Sequence, residues 1–347
     1  MKEKTSFIGS LQETISQKVP ATIVLVGTLV LAVALGAVGG ASQVINSVIT
    51  GGMWALMAVG LALVFGVSNI PHFAHGESFM VGAYVAYFVF TPVHEWLQQN
   101  PNAFLSAVAP FLGIFVAGLV GLVLGVFLER VLFYPLRLRS KAGEWVMNAF
   151  LLTVGISFIL TNGTTLVLGP NFLGIPRYWD VEPLVLLGAR VSVDRIMAFA
   201  IAMLSIGALW FFLRRTRTGR AIRAVAQDEV GAQMMGINLN FIYPLTFALA
   251  TAMAAISGAG LLFLFQAYPT VGLQPLYLAW YVVMMAGLGN VVGAIVGGFI
   301  VGVLQTATQQ FAGIVWVDVI PTIVMIAVLL IVPSGIFGSE VKGIQEQ

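Results

Sequence analysis

The stretch INSVITGGMWALMAVGLALVFGV, residues 45–67, contains no charged side chain and is almost entirely apolar. A helix crosses a bilayer with about 20 apolar residues, so this stretch is long enough to cross it once. It lies in a charge-free segment, residues 19–76, and further charge-free segments cover residues 96–128, 145–176 and 230–317. Of the 347 residues, 59% are hydrophobic and only 9% are charged, and the mean hydropathy is +0.98. The sequence therefore predicts an integral membrane protein.

These apolar segments predict an all-α fold, a polytopic bundle of transmembrane helices. A closed β-barrel would instead show alternating segments of about 10 residues, which this sequence lacks. The first apolar run, residues 20–38, ends in GAVGGAS and also fits a signal peptide, but a second long run follows so closely that a first membrane helix is the better interpretation. We expect about nine membrane segments of roughly 20 residues, within a range of about 8–10 and some of them broken or re-entrant. They are predicted at residues 20–38, 45–67, 73–91, 109–134, 146–169, 195–213, 241–265, 279–304 and 319–334.

The same pattern predicts how the chain is divided. Residues 1–18 form an N-terminal segment that carries Lys2, Lys4 and Lys18, and residues 339–347 form a C-terminal tail. Between them, residues 19–338 form one transmembrane domain. Lys and Arg are concentrated in the cytoplasmic loops of membrane proteins, so the N-terminal segment is predicted to be cytoplasmic.

Two further segments are rich in arginine and are also predicted to be cytoplasmic. They are ERVLFYPLRLRSKAGE, residues 129–144, and RRTRTGRAIR, residues 214–223. The loop at residues 91–109 has no basic residue other than histidine, and the loop at residues 170–194 has two arginines against three acidic residues. Both of these loops are therefore expected outside.

Glycine is concentrated in the apolar segments. In GLGNVVGAIVGGFIVG, the glycines at 289, 293 and 297 are spaced four apart, and so are those at 298 and 302. This spacing allows close contact between membrane helices. Two glycines and an asparagine in AGLGN, residues 286–290, further predict a broken or re-entrant helix, which a membrane tolerates only where the backbone is buried in protein or lines a wet cavity.

The stretch NIPHFAHGESFMVGAY, residues 69–84, places polar groups between two apolar runs. A charged residue at the centre of a bilayer costs about 2.5 to 3.5 kcal/mol, so Glu77 should be paired, neutral or facing a cavity, with His75 as the nearest candidate partner. Three interpretations remain open. The stretch could be an interfacial loop with a glutamate at the start of a helix, an element that lines or gates a pathway, or a metal site, for which His72, His75 and Glu77 lack convincing ligand spacing.

The stretch RTGRAIRAVAQDEVGAQMMGINLNF, residues 217–241, follows the second basic cluster. It predicts a short amphipathic helix that ends at Gly236, with an apolar face formed by Ile222, Val225, Ala226, Met234 and Met235. A solvated surface helix is the simpler interpretation. A compact helix between two membrane spans is also well suited to docking a soluble partner.

Taken together, these segments resemble the permease subunits of ABC importers for branched-chain amino acids, in the LivH-like branch, which is similar to the urea permeases. The matching stretches are HFAHGESFMVGAY, ERVLFYPLR, RTGRAIRAVAQDEVGAQMMGIN, GLGNVVGAIVGGFIVG and VPSGIFG. They extend over most of residues 45–338. The resemblance implies a multi-pass protein of a bacterial or archaeal cell (inner) membrane, in contact with lipid, that transports branched-chain or other small amino acids.

The resemblance also implies partners and residue roles. Such a permease pairs with a second, related permease, binds two cytoplasmic ATPase subunits and receives its substrate from an extracytoplasmic binding protein. A translocation pathway or gate is implied at Phe73, Ala74, His75, Gly76, Glu77, Gly82, Tyr84, Gly287, Gly289, Asn290 and Gly293. Coupling to the ATPases is implied within residues 214–240, at Gly219, Arg220, Arg223, Ala224, Ala226, Asp228, Gly236, Ile237 and Asn238.

The chain has no G-x-x-x-x-G-K-[ST] phosphate loop, so we expect that it binds no cofactor and that its partners use the ATP. We expect no enzyme activity of its own, no metal and, with a net charge of only +2, no nucleic-acid partner. Urea or a short amide is an alternative cargo. An ion-coupled secondary transporter would need deep carboxylates, which we expect to be limited to Glu77 and Asp318. A passive channel would leave the arginine-rich helix without a role.

Overall fold

The computed structural model describes residues 2–141, 143–175 and 182–338. Within these ranges the chain is almost entirely helical, which confirms the predicted fold class. The helices are α1 (Lys2–Ser68), α2 (His75–Gln99), α3 (Ala103–Phe127), α4 (Tyr134–Arg139), α5 (Trp145–Leu168), α6 (Val193–Arg215), α7 (Arg217–Gln227), α8 (Glu229–Met234), α9 (Leu239–Leu261), α10 (Leu273–Ala286), α11 (Val291–Phe311) and α12 (Val319–Ile331).

Three small elements complete the chain. A π-helical segment, Leu128–Phe133, joins α3 to α4, and a 3₁₀ turn, Ile314–Trp316, precedes α12. The loop before α6 carries a short antiparallel hairpin that the sequence did not predict. Its strands are β1 (Leu184–Leu186) and β2 (Ala189–Val191).

The first helix folds back on itself at Gly40. The apolar part of α1, Ala21–Ser68, has 48 residues and would be about 72 Å long if straight, more than twice the thickness of a bilayer core. Gly40 has non-helical angles, with φ 69° and ψ −174°. A methyl group on Gly36 would lie 3.3 Å from Cγ2 of Val44, although eight residues of straight helix separate two positions by about 12 Å. Thus α1 supplies two membrane segments, as predicted.

Among the described residues, seven helical stretches are long and apolar enough to cross a membrane. The folded α1 counts once among them, and α2 and the shorter α10 are not included. With these additions the bundle has ten membrane segments, at the upper end of the predicted range. The boundary predicted at residue 18 does not coincide with the start of a helix, because α1 begins at Lys2. The predicted tail lies outside the described residues.

The glycine rows of α11 pack as their spacing predicts. Gly302 lies against the backbone of Gly51 in α1, and Gly298 lies against Ala55, so the two backbones approach directly. Gly297 faces Val282 of α10 instead. Helix α11 is therefore packed between α1 and α10. The glycines of α11 let both neighbouring helices approach closely, and the close approach adds dispersion contacts.

The span predicted at residues 279–304 is wrong in its boundaries. The structure has two helices there, because α10 ends at Ala286 and α11 begins at Val291. Gly287 and Gly289 have φ of 110° and 80°, which side-chain-bearing residues rarely adopt. The predicted break at residues 286–290 is therefore confirmed, but it separates α10 from α11 rather than interrupting one helix.

Candidate functional site

The start of α2 holds a buried carboxylate near the middle of the bundle. Glu77 lies in the first turn of α2 and is only 3% exposed. Its Oε1 accepts hydrogen bonds from the hydroxyls of Ser157, at 2.6 Å, and Thr161, at 3.2 Å. Ser157 is about 18 Å along the 24-residue helix α5, so Glu77 lies at mid-depth. The predicted position at a helix start is confirmed, but the site is deep rather than interfacial.

The prediction that His75 pairs with Glu77 is wrong. Nε2 of His75 lies 3.2 Å from the carbonyl oxygen of Met57, and the imidazole is fully buried. His72 is also fully buried, and its ring packs edge-on against His75, Phe133 and Phe247. No group of three potential metal ligands occurs among the described residues. The two histidines are therefore packed into the bundle and do not form a cluster with Glu77.

The backbone before α2 is irregular and is held by polar groups of α5. The hydroxyl of Thr153 donates to the carbonyl of Pro71 at 3.1 Å, and the N–H of Phe73 donates to the same hydroxyl at 3.3 Å. The indole of Trp145 donates to the carbonyl of Ser68 at 3.3 Å. Irregular backbone at membrane depth needs such partners, because lipid offers none. This arrangement confirms that the stretch before α2 is a break between membrane helices.

The start of α2 meets the start of α10. A methyl group on Gly76 would lie 2.7 Å from the carbonyl oxygen of Gly272, and a methyl group on Gly272 would lie still closer to the carbonyl oxygen of Gly76. We call this contact the central junction. From it, α2 runs away from the basic end of the bundle, whereas α10 runs towards the break at residues 287–290. The central junction thus joins the starts of two helices that run in opposite directions.

The other residues predicted for a pathway lie in packed contacts. Gly82 lies against the backbone of Ala255 in α9, and Tyr84 is buried with its ring stacked on Phe88. Ala74 is fully buried. These residues fix the position of α2 within the bundle.

The break between α10 and α11 is closed by the segment that follows α12. The carbonyls of Met285 and Ala286, at the end of α10, accept hydrogen bonds from the N–H groups of Ile336 and Phe337. Asn290 caps α11 by accepting from the N–H of Gly293, and its amide donates to the carbonyl of Phe337 at 2.7 Å. Of the residues implied here for a pathway or gate, Gly287, Asn290 and Gly293 therefore pack against the VPSGIFG segment, whereas Gly289 packs against Gly66 of α1. All four are separate from the central junction.

The two basic segments lie at the same end of the bundle, as predicted from their charge. The guanidinium of Arg130 donates to the carbonyl of Asn240 at 2.7 Å. The carboxylate of Glu129 is 1% exposed and forms an ion pair of 3.1 Å with Arg137. Arg137 also lies over the ring of Tyr243, 3.8 Å from its centroid. We refer to this end as the basic end.

The predicted amphipathic helix at the basic end is two helices. Asp228 has extended backbone angles, which end α7, and its carboxylate caps α8 by accepting from the N–H of Gly231. Gly236, with φ of 82°, follows the end of α8, so the predicted stop is confirmed. Gly219 lies against the backbone at the end of α6, where a side chain would not fit. Thus α7 and α8 form a compact module attached to α6, which we call the α7–α8 module.

The predicted apolar face of this module is only half correct. Ile222 and Val225 are buried, but Met234 and Met235 are 83% and 84% exposed and Ala226 is also exposed. The predicted coupling residues differ in the same way: Gly219 is buried, Ala224 and Ile237 are half-buried, and Arg220, Arg223, Asp228, Gly236 and Asn238 are exposed. The module therefore packs on the bundle through α7 and presents α8 outwards.

Sequence reasoning missed the hydroxyls that bind the break. Thr153, Ser157 and Thr161 follow one another at intervals of four in an otherwise apolar helix, and this spacing places them on one face. That pattern could have identified the partner of Glu77. Sequence reasoning also missed that the carboxylate of Glu129 is buried. Asp318, which was predicted to be deep, is exposed at the start of α12.

A bundle with about ten membrane segments among the described residues, two helices that start beside each other at mid-depth and an exposed module at one end defines a class, the multi-pass membrane transport proteins. Residues 43–329 match the family described as branched-chain amino acid transport system / permease component. The chain belongs to this family, and it is a transport subunit of the ABC type.

Similar curated proteins share most of their length with this chain. It is 30% identical over 304 residues to the high-affinity branched-chain amino acid transport system permease protein LivH of Salmonella typhimurium, covering 85% of this chain and 94% of that protein. It is 30% identical over 302 residues to BraD of Pseudomonas aeruginosa, covering 85% and 95%. It is 28% identical over 309 residues to the probable LivH of Methanocaldococcus jannaschii, covering 86% and 92%. No solved structure matches the chain significantly.

Proposed function

We propose that this chain is the membrane subunit of an ATP-driven importer that carries branched-chain or similar small neutral amino acids into the cell across the inner membrane. It pairs with a second, related permease, docks two ATPase subunits through the α7–α8 module and receives substrate from an extracytoplasmic binding protein. The relatives described above, whose names specify branched-chain amino acids, support the choice of cargo.

The exposed α8 is the observation that carries the proposal. Val230 and Met234 are 66% and 83% exposed, and their spacing of four places them on one face of the helix. Arg220 and Arg223 are exposed on the neighbouring α7. A short helix with exposed apolar side chains and nearby charges suits the docking of a cytoplasmic partner, because the free energy falls when a partner covers apolar groups that face water.

An ion-coupled mechanism has less support. Glu77 is held by two neutral hydroxyls, Asp318 is exposed, and Glu129, at the basic end, is paired with Arg137. Coupling-ion sites in secondary transporters are formed by carboxylates, carbonyls and broken helices around a cavity. The break between α10 and α11 is instead closed by hydrogen bonds from the segment after α12.

Uptake by the complete complex in lipid vesicles tests the proposal. The complex should accumulate leucine only when ATP, both ATPase subunits and the loaded binding protein are present. Uptake without the ATPases, driven by an imposed ion gradient, would support a secondary transporter instead. ATP-dependent uptake of urea or a short amide in place of leucine would correct the cargo but keep the class.

A further inference from the structure

A cavity lies on the side of the central junction that faces away from the basic end. Phe79 and Ala83 of α2, one and two turns beyond Gly76, form one wall, and the chain between α9 and α10 forms another. An antiparallel bridge between Leu173 and Ala267 joins that chain to the loop after α5. We call this space the outer cavity, because the charge of the loops predicts that it faces outside.

The walls of the outer cavity are mostly aromatic and aliphatic. They include the rings of Trp54, Phe79, Phe172, Phe265 and Tyr268. The indole N–H of Trp54 donates to Gln305 at 2.7 Å, so Trp54 offers the cavity its ring rather than its polar atom. None of the lining residues described for the cavity carries a charge. The surface therefore favours a neutral, apolar group.

Two amides supply most of the polar chemistry of the outer cavity. Gln266 and Gln274 line it, and both residues are exposed. An amide can donate through its NH₂ group and accept through its carbonyl oxygen. A pair of amides can thus meet both the carboxylate and the ammonium group of a zwitterion without a formal charge.

The cavity has a size and a floor that suit a small molecule in transit. Its volume is about 230 Å³, below the roughly 300–1,000 Å³ of clefts that hold drug-sized ligands. The central junction closes it at Gly76 and Gly272. Towards the basic end, the rings of Phe73 and Trp280 are in contact, with centroids 5.4 Å apart. Two contacts, between Gly76 and Gly272 and between Phe73 and Trp280, therefore lie between the cavity and the basic end.

We propose that the outer cavity is the site at which this subunit receives its amino acid, with the aliphatic side chain against the aromatic walls and the two ends of the zwitterion at Gln266 and Gln274. This inference rests on the proposed function and specifies where the cargo binds. None of the residues that the sequence assigned to a pathway lines this cavity.

The chain has no cysteine, so single cysteines give a direct test. Gln274→Cys and Ala83→Cys place thiols on two walls of the cavity, and Asn100→Cys places one on an exposed outer loop as a control. An impermeant thiol reagent added outside should modify Gln274→Cys and Ala83→Cys. Leucine uptake by the modified variants should be about tenfold or more below that of the cysteine-free parent. Saturating leucine-loaded binding protein should slow both modifications. Asn100→Cys should be modified without loss of uptake.

Each result decides a different point. Full uptake after complete modification of Gln274→Cys, or no modification of that exposed position from outside, overturns the assignment of the cavity. Gln274 is exposed, so its substitution tests the proposal even if Ala83→Cys does not assemble. If the unmodified, cysteine-free complex does not take up leucine, the proposed function fails, and with it the choice of ligand. If the cysteine-free complex takes up leucine and modification of the variants does not change their uptake, only the assignment of the cavity is overturned.

Discussion

Glu77 is a carboxylate at mid-depth that has no ion pair among the described residues. Two features of the structure stabilise the carboxylate at this depth. The hydroxyls of Ser157 and Thr161 donate to it, and it lies in the first turn of α2, where the free N–H groups and the helix dipole favour negative charge. Since both hydroxyls belong to α5, Glu77 also ties the start of α2 to that helix. We therefore expect Glu77 to hold the break in shape.

Substitutions of Glu77 distinguish the contribution of its shape and hydrogen bonds to transport from the contribution of its charge. Glu77→Gln keeps an oxygen that accepts from both hydroxyls, so uptake should stay within about threefold of the wild type. Glu77→Leu loses both hydrogen bonds, each worth about 0.6 kcal/mol on average in membranes, and should lower uptake by roughly tenfold. Substrate preference should not change in either variant.

Transport assays on stably assembled complexes measure this difference. Ser157→Ala is the control, because it removes one hydroxyl while leaving the carboxylate in place, and it should fall between the two Glu77 variants. Loss of uptake in Glu77→Gln, or a new substrate preference, would show that the charge itself binds cargo or protons.

The α7–α8 module shows how a short element keeps its shape. With six residues, α8 is too short to be a stable helix in isolation. The carboxylate of Asp228 satisfies an N–H at its start, and Gly236 adopts the left-handed conformation that ends it. Because α7 is anchored by Ile222 and Val225, α8 can present Met234 to a partner while its own backbone stays fixed.

A charge on the exposed face of α8 should prevent docking of the ATPase. Met234→Glu places a carboxylate where an apolar contact is expected, and ATP hydrolysis stimulated by the loaded binding protein should fall by about tenfold or more. Gln233→Glu adds the same charge to a neighbouring exposed position that the proposed contact does not use. Co-purification of the ATPase subunits and their activity measure the effect. Equal activity in both variants would argue against docking through Met234.

At the scale of the whole molecule, the fold places its breaks at two depths. The central junction lies at mid-depth and separates the outer cavity from the rings of Phe73 and Trp280. The break between α10 and α11 lies nearer the basic end, where Gly289 packs on Gly66 of α1. Because α10 connects the two levels, a movement of its basic end would be transmitted to Gly272. Helix α10 therefore links the break at residues 287–290 directly to the floor of the outer cavity.

The orientation of the bundle is open to a simple test in cells. Met235 is 84% exposed at the basic end, and Asn100 is exposed at the opposite end. With an impermeant thiol reagent added outside, Asn100→Cys should react and Met235→Cys should react only after the membrane is permeabilised. Labelling of Met235→Cys in intact cells would reverse the orientation, and the cysteine-free parent controls for background reaction.

Much of the fold follows from local sequence. The lengths of the apolar runs predicted the membrane segments, the four-residue spacing of glycines predicted close helix contacts without identifying the partner helix, and the AGLGN stretch predicted a break. These features are local because a membrane helix satisfies its own backbone hydrogen bonds and needs only length, apolarity and small residues at its contacts. Clustered arginines likewise placed two segments at one end of the bundle.

The composition of the site was decided by tertiary structure. His75 is two residues from Glu77 in sequence, yet the partners of Glu77 are Ser157 and Thr161, about eighty positions away. The walls of the outer cavity likewise come from four separate parts of the chain, and no local motif marks them. The sequence by itself determined which segments enter the membrane and where they break, because those properties depend on each segment alone. Only the packing of the helices decided which polar groups meet at mid-depth, because in lipid a buried donor or acceptor is satisfied by whichever helix the fold brings beside it.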